Sequence, residues 1–200
     1  MPPNPLAKRQ PILRAARSVF LQHGYAGASM GVIADRAAVS KTTLYSHYGS
    51  KQALFAAVVG AHCEAVLETL IAARTDGEDP LRGLEEFARN VVGLCFAPDT
   101  LDLFRLVAAE GAAFPELAEM LFLCAHQPLR RRLAEYLREL DGRGCLRIAD
   151  TDTAAQHFLG MLKGELYLRS LLGLQPRPSE EEKESLIRSA VDLLFRAYRP

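Results

Sequence analysis

Ser29, Ser40 and Ser50 each stand directly before a short run of helix-forming residues. A serine in that place accepts a hydrogen bond from a backbone N–H two or three residues on, so each one starts a helix and requires the previous one to have stopped. The chain is therefore cut into short helices after Ser29, from Lys41 to Tyr48 and from Lys51 onward, with Ala38-Val39 and Gly49 as the breaks. A segment cut this finely cannot form a long bundle. It must fold as a compact cluster of short helices. Alternating β-branched runs bounded by turns do not occur, and apolar residues recur at helical spacing instead. The fold class expected is all-α.

Nine helices are predicted. The first spans about Pro11–His23, with Ile12, Ala16, Val19 and Phe20 on one face and Gly24 as its stop. The second carries Ile33, Ala34 and Ala37 inward, and the fourth runs from Lys51 to about Arg74. Thr75–Pro80 reads as a loop. Further helices are expected over about Leu81–Phe96, Thr100–Ala112, Pro115–Leu140, Asp152–Leu172 and Glu180–Tyr198. Pro128 predicts a kink or break near His126–Gln127. Two domains are expected: residues 1–54, with 1–8 as a disordered arm, and residues 55–200.

The formal net charge is zero, which by itself does not point to nucleic acid. Its distribution does. Residues 1–60 hold seven Lys/Arg against the single acid Asp35, a net of +6, and the rest of the chain carries 17 basic and 23 acidic groups, a net of −6. A basic head on an acidic body attracts polyanions and orients their approach. Cys63, Cys95, Cys124 and Cys145 are widely spaced and form no CxxC pair, as expected of reduced cysteines filling apolar gaps. No signal peptide and no apolar run long enough for a membrane span is seen, so a cytoplasmic protein without membrane contact is expected.

The chemistry-bearing stretch is Ser29 to Lys51. Its second short helix offers Lys41, Thr42, Thr43, Tyr45, Ser46 and His47, a density of hydrogen-bonding groups suited to base edges and phosphates in a major groove. Leu44 and Tyr48, four apart, define its packing face. This segment, within AARSVFLQHGYAGASMGVIADRAAVSKTTLYSHYGSKQALFAAV, resembles the DNA-binding domain of TetR-family transcriptional regulators, continuously over about residues 9–58. The resemblance implies that Lys41, Thr42 and Thr43 occupy base-reading and groove-edge positions. It also implies that Tyr45, His47 and Lys51 hold phosphates, and that Ser29 caps the second helix where it meets the DNA backbone. Two residues depart from the family pattern. Gly31 stands where many members carry Arg or another polar residue. Ala38 replaces a common turn glycine and is strained if φ is positive there. Arg14 and Arg17 read either as a solvated face or as backbone contacts, and Lys8 and Arg9 either as a groove-touching arm or as a solubilising tail.

In the body, LFRLVAAEGAAFPELAEMLF and QHFLGMLKGELYLRSLLG are similar to the AefR-like branch of the same family. A symmetric homodimer is expected, with an interface from Phe158, Gly160, Met161, Gly164, Leu168, Leu186, Ala190, Leu194 and Tyr198. It would place two recognition helices on a near-palindromic double-stranded DNA operator. The resemblance further implies a small-molecule effector bound in the body, and repression as the default. Candidate lining residues are Phe87, Phe96, Phe104, Phe114, Phe122 and Phe158, with His126, His157 and Glu165 as polar anchors. Their chemistry predicts an apolar or aromatic effector. A metal- or thiol-responsive regulator on the same scaffold is the alternative, on the pairs Cys124/His126 and His62/Cys63. No cofactor motif or catalytic constellation is found, so no enzyme is expected.

Overall fold

The computed structural model describes residues 5–72, 79–175 and 177–200. Residues 1–4 of the expected arm, Thr75–Glu78 of the expected loop and Pro176 lie outside the described residues. Those described form eleven α-helices and one π-helical turn and contain no strand: α1 (Pro5–Gly27), α2 (Met30–Arg36), α3 (Lys41–Tyr48), α4 (Lys51–Ala72), α5 (Pro80–Cys95), α6 (Pro98–Glu110), α7 (Pro115–Leu121), α8 (Gln127–Gly142), α9 (Thr151–Lys163), α10 (Glu165–Leu171) and α11 (Glu180–Ala197). The all-α expectation holds.

The differences from nine helices have local causes. Helix α1 starts at Pro5, so Pro11 lies inside it rather than at its first turn, and residues 5–8 are helical. Gly24 (φ 71°, ψ 171°) leaves helical geometry and kinks the chain before a last turn at Tyr25–Gly27. The expected long seventh helix is divided into α7 and α8 by the π turn Phe122–His126, directly before Pro128, whose missing N–H disrupts the regular ladder. The eighth is divided at Gly164 (φ −24°, ψ −148°) into α9 and α10. Asp79 caps α5 through the N–H groups of Leu81 and Arg82, Asp150 caps α9, and Ser179 with Glu182 closes a capping box on α11.

The chain forms two compact units. One comprises residues up to Glu64 together with Asp102–Cys124, and the other Ala65–Leu101 with Ala125–Pro200. The first unit packs Ile12, Ala16, Val19, Phe20, Ile33, Ala34, Leu44, Leu54 and Phe55 into a dry centre. Its aromatic residues interlock. Phe20 meets Phe55 edge-on at 5.1 Å between ring centroids, and Tyr25 lies 5.3 Å from Phe55 and 4.8 Å from Phe114. The second unit centres on Leu84, Phe87, Leu133, Tyr136, Leu137, Phe158 and Ile187, with α9 packed on α8 and α11 on α5 and α9.

Candidate nucleic-acid interface

The turn between α2 and α3 is set by its caps. The Ser29 hydroxyl accepts from the Val32 N–H at 3.2 Å, and the Ser40 hydroxyl from the Thr43 N–H at 3.1 Å. Ala37 N–H and Ala38 N–H close the end of α2 on the carbonyls of Ile33 and Asp35. Ala38 has φ of 53°, the left-handed region that favours glycine, so the strained branch of the expectation is realised. Arg36 donates to Ser18 Oγ at 2.8 Å and Gln22 Oε1 at 2.7 Å, tying α2 to α1. One of the seven cations of the head therefore serves the fold.

On α3, Leu44 is fully buried while the next residue, Tyr45, keeps 49% of its surface. Lys41, Thr42, Ser46 and His47 are also exposed. A short helix anchored by one leucine thus presents a continuous polar face. Several of its groups are already engaged. The Thr43 and Ser40 hydroxyls are hydrogen-bonded to each other at 2.8 Å, and the Ser46 hydroxyl donates to the Thr43 carbonyl at 2.8 Å. Tyr48 is half-buried, and burial raises its hydroxyl pKa while the adjacent Arg9 guanidinium opposes that rise. Arg9 therefore sits at the end of α3 rather than in a free tail.

Lys51 is engaged within the head. Its ammonium donates to the Ala26 carbonyl at 3.0 Å and the Ala28 carbonyl at 3.1 Å, and stands 4.8 Å from the Tyr25 ring centroid. It staples the start of α4 to the segment made by the last turn of α1 and Ala28 after it. The same segment is held from the other side by Glu110 at the end of α6, whose Oε1 accepts from the Tyr25 N–H at 2.8 Å and the Ala26 N–H at 3.4 Å. Residue patterning did not reveal Glu110, because 85 positions separate it from Tyr25.

The nine effector candidates fall into both units. Phe104, Phe114 and Phe122 belong to the first, where Phe114 packs on Tyr25 and Phe122 is half exposed. Phe87, Phe96, His126, His157, Phe158 and Glu165 belong to the second. Phe87 and Phe158 are fully buried among core side chains. Phe96 meets Tyr167 edge-on at 5.8 Å. His126 is partly buried, which holds its pKa below the usual histidine value, with Lys163 and Arg130 adding to the effect. His157 and Glu165 are exposed, and Glu165 pairs with Arg169 at 3.4 Å.

The expected dimer face needs a similar correction. Phe158, Ala190 and Leu194 point into the chain's own core and cannot also form an outer surface. Met161, Leu186 and Tyr198 are half-buried against that core. Gly160, Gly164 and Leu168 are exposed, together with the unforeseen Leu172 and Leu193. Among the described residues, no group of three or more His, Cys, Asp or Glu side chains could hold a metal ion, and no helix is long and apolar enough to cross a membrane. The four cysteines are free thiols. Burial pushes the Cys63 thiol up to about 12, with Cys124 and Glu64 nearby adding to the rise, so little reactive thiolate forms.

Comparison with known proteins agrees with this geometry. Residues 12–58 match the profile of bacterial regulatory proteins of the tetR family, and residues 82–200 match the C-terminal domain of AefR-like transcriptional repressors. The transcriptional regulator UidR of Escherichia coli is 30% identical over 68% of this chain and 67% of its own length. The transcriptional activator FasR of Mycolicibacterium smegmatis is 39% identical over 40% of this chain, a match that spans only 37% of FasR. Among solved structures, the flavonoid-responsive regulator FrrA superimposes with a TM-score of 0.84 at 33% identity, covering 97% of this chain and 98% of FrrA. A putative TetR-family regulator from Mesorhizobium loti does so at 0.86 and 26% identity, covering 98% of each chain. The fold and the relatives are those of regulators rather than enzymes. With its capped helix-turn-helix followed by a helical body, this chain belongs to the TetR family of DNA-binding transcriptional regulators.

Proposed function

We propose that this protein is a homodimeric repressor that holds a near-palindromic operator through α3 and releases it when a small aromatic molecule occupies the body. The observation that carries the DNA contact is the exposed polar face of α3 above a single buried leucine, inside the basic head. Thr42, Thr43, Tyr45 and His47 meet base edges and groove-lining phosphates. Ser29, Lys41 and Ser46 complete the contact surface, and Lys51 positions the segment behind it. A two-fold dimer spaces two such helices one turn of DNA, about 34–36 Å, apart. Gly160 on α9, Leu168 on α10, Leu172 just after it and Leu193 on α11 are exposed, and they are the residues from which a surface for a second copy would be built. Repression follows the AefR-like profile over residues 82–200, although FasR, matched over 40% of this chain, is named a transcriptional activator.

An aromatic effector is supported by the likeness to FrrA, named for its response to flavonoids, and by the edge-on pair Phe96 and Tyr167 in the body. The test uses DNA selection from a random duplex pool, then mobility shift of the enriched sequence with and without naringenin, a flavanone. Expected are an inverted-repeat site, loss of binding by a Thr43→Ala/Tyr45→Ala double variant that remains folded, and release by the flavanone. Unchanged affinity of the double variant would overturn the contact assignment. Undiminished binding at saturating naringenin would overturn the flavonoid class of effector.

A further inference from the structure

We propose that Lys41 grips a DNA phosphate together with Ser29, rather than reading a base, and that the missing side chain of Gly31 directs it there. Gly31 lies in the first turn of α2, and Lys41 opens α3. The lysine crosses back over the glycine. A Cβ built on Gly31 would stand 2.9 Å from Lys41 Cε and 3.1 Å from its Nζ, with Ser29 Oγ 3.6 Å away. Any side chain at position 31 would displace the ammonium from this place. Lys41 is exposed, so its charge remains available to a ligand. The Ser29 hydroxyl uses a lone pair on the Val32 N–H, which leaves its proton free to donate. An ammonium from the start of α3 and a hydroxyl donor from the cap of α2, each within 3.6 Å of the Cβ position over Gly31, suit a phosphodiester oxygen. A lysine can also read guanine O6 and N7, but this one is turned back over the first turn of α2 beside Ser29, toward the backbone-contacting side of the motif. Sequence reading then falls to residues further along α3, with Thr42 first among them because Thr43 Oγ1 and Ser46 Oγ are engaged locally.

The inference rests on the DNA face proposed above, and its test separates the two. Wild type, Lys41→Met, Gly31→Ala and the double variant are each used to select from a random duplex pool. Affinities for the enriched wild-type site are then measured across potassium chloride concentrations. Alanine has higher helix propensity than glycine, and the atom it meets is the far end of a flexible chain, so Gly31→Ala should fold and melt no lower than wild type. Lys41→Met should flatten the plot of log affinity against log salt by about 0.9 per protomer, while enriching the same sequence as wild type. Gly31→Ala should flatten it likewise, and Lys41→Met should add nothing in the Gly31→Ala background. A Lys41→Met protein with wild-type salt slope and an altered preferred base would overturn the assignment to phosphate. Additive effects of the two substitutions would overturn the role of Gly31. A wild-type protein that enriches no sequence would overturn the DNA face itself, and this inference with it.

Discussion

Gly24→Ala should destabilise the first unit by about 2–4 kcal/mol, and part of that loss should vanish when Glu110 is also removed. Two effects act at this residue. Its φ of 71° with ψ of 171° falls in a region essentially restricted to glycine, where another residue costs about 1–3 kcal/mol. An alanine Cβ would also stand 2.6 Å from Glu110 Oε1, so the carboxylate must move from the Tyr25 N–H it holds at 2.8 Å. A hydrogen bond to a charged group contributes roughly 1.5–3 kcal/mol, and partial exposure lowers this to about 1 here. Glu110→Ala alone removes the same bond and should cost about 1 kcal/mol. In the double variant the bond is lost only once, so the combined cost should fall short of the sum by about 1 kcal/mol, outside the ~0.3–0.5 kcal/mol scatter of independent sites. Glu110→Gln keeps an acceptor oxygen and should recover part of the loss. The assay is native-state hydrogen exchange of the Tyr25 and Ala26 amides, which reads this contact directly, alongside urea unfolding. A Gly24→Ala protein within 0.5 kcal/mol of wild type, or a strictly additive double variant, would refute the reasoning.

Three further outcomes are expected. Ala38→Gly relieves a positive φ at an exposed position with no packing to lose, and should raise unfolding free energy by about 0.5–1 kcal/mol after the extra entropy of glycine is offset; a lower urea midpoint would contradict this. Lys51→Met removes the donor to the Ala26 and Ala28 carbonyls, and should cost about 1 kcal/mol while leaving the salt slope of DNA binding unchanged; a flattened slope would return Lys51 to the phosphates. His126 has its pKa lowered by burial, so the unfolded chain binds the proton more readily. Its contribution to stability is therefore complete above the ordinary histidine value near 6.5 and is lost as pH falls from there through the folded-state value. Stability measured against pH should show this loss in the wild type and a smaller one in His126→Gln, and identical profiles would count against it.

What the sequence disclosed was whatever is encoded between near neighbours. Ser29, Ser40 and Ser50 cap helices through bonds spanning three residues, so residue type and position were enough to place the starts of α2, α3 and α4. Leu44 and Tyr45 differ in exposure because a helix turns about 100° per residue, which spacing also encodes. Helix breaks were half legible. Pro128 announced the division of α7 from α8, whereas Gly164 was read as a close-packing residue and instead separates α9 from α10. A glycine inside an apolar pattern is compatible with both, and tertiary packing decides between them.

Least legible were the partners of long basic side chains, which can choose among several. Lys51, Arg36 and Arg9 all belong to the positive charge of the head, yet Lys51 is turned onto two carbonyls, Arg36 onto Ser18 and Gln22, and Arg9 onto Tyr48. The head's net charge still attracts DNA, because a long-range field depends on where charge resides rather than on which atoms it touches. Specific contact depends on those atoms. The two therefore separate in this molecule: much of the basic charge that brings the head to DNA also holds the head together. Neutralising Arg36 or Lys51 should thus act on binding only through a modest loss of stability in the head, whereas neutralising Lys41, whose ammonium lies at the exposed junction of α2 and α3, should weaken binding with stability unchanged.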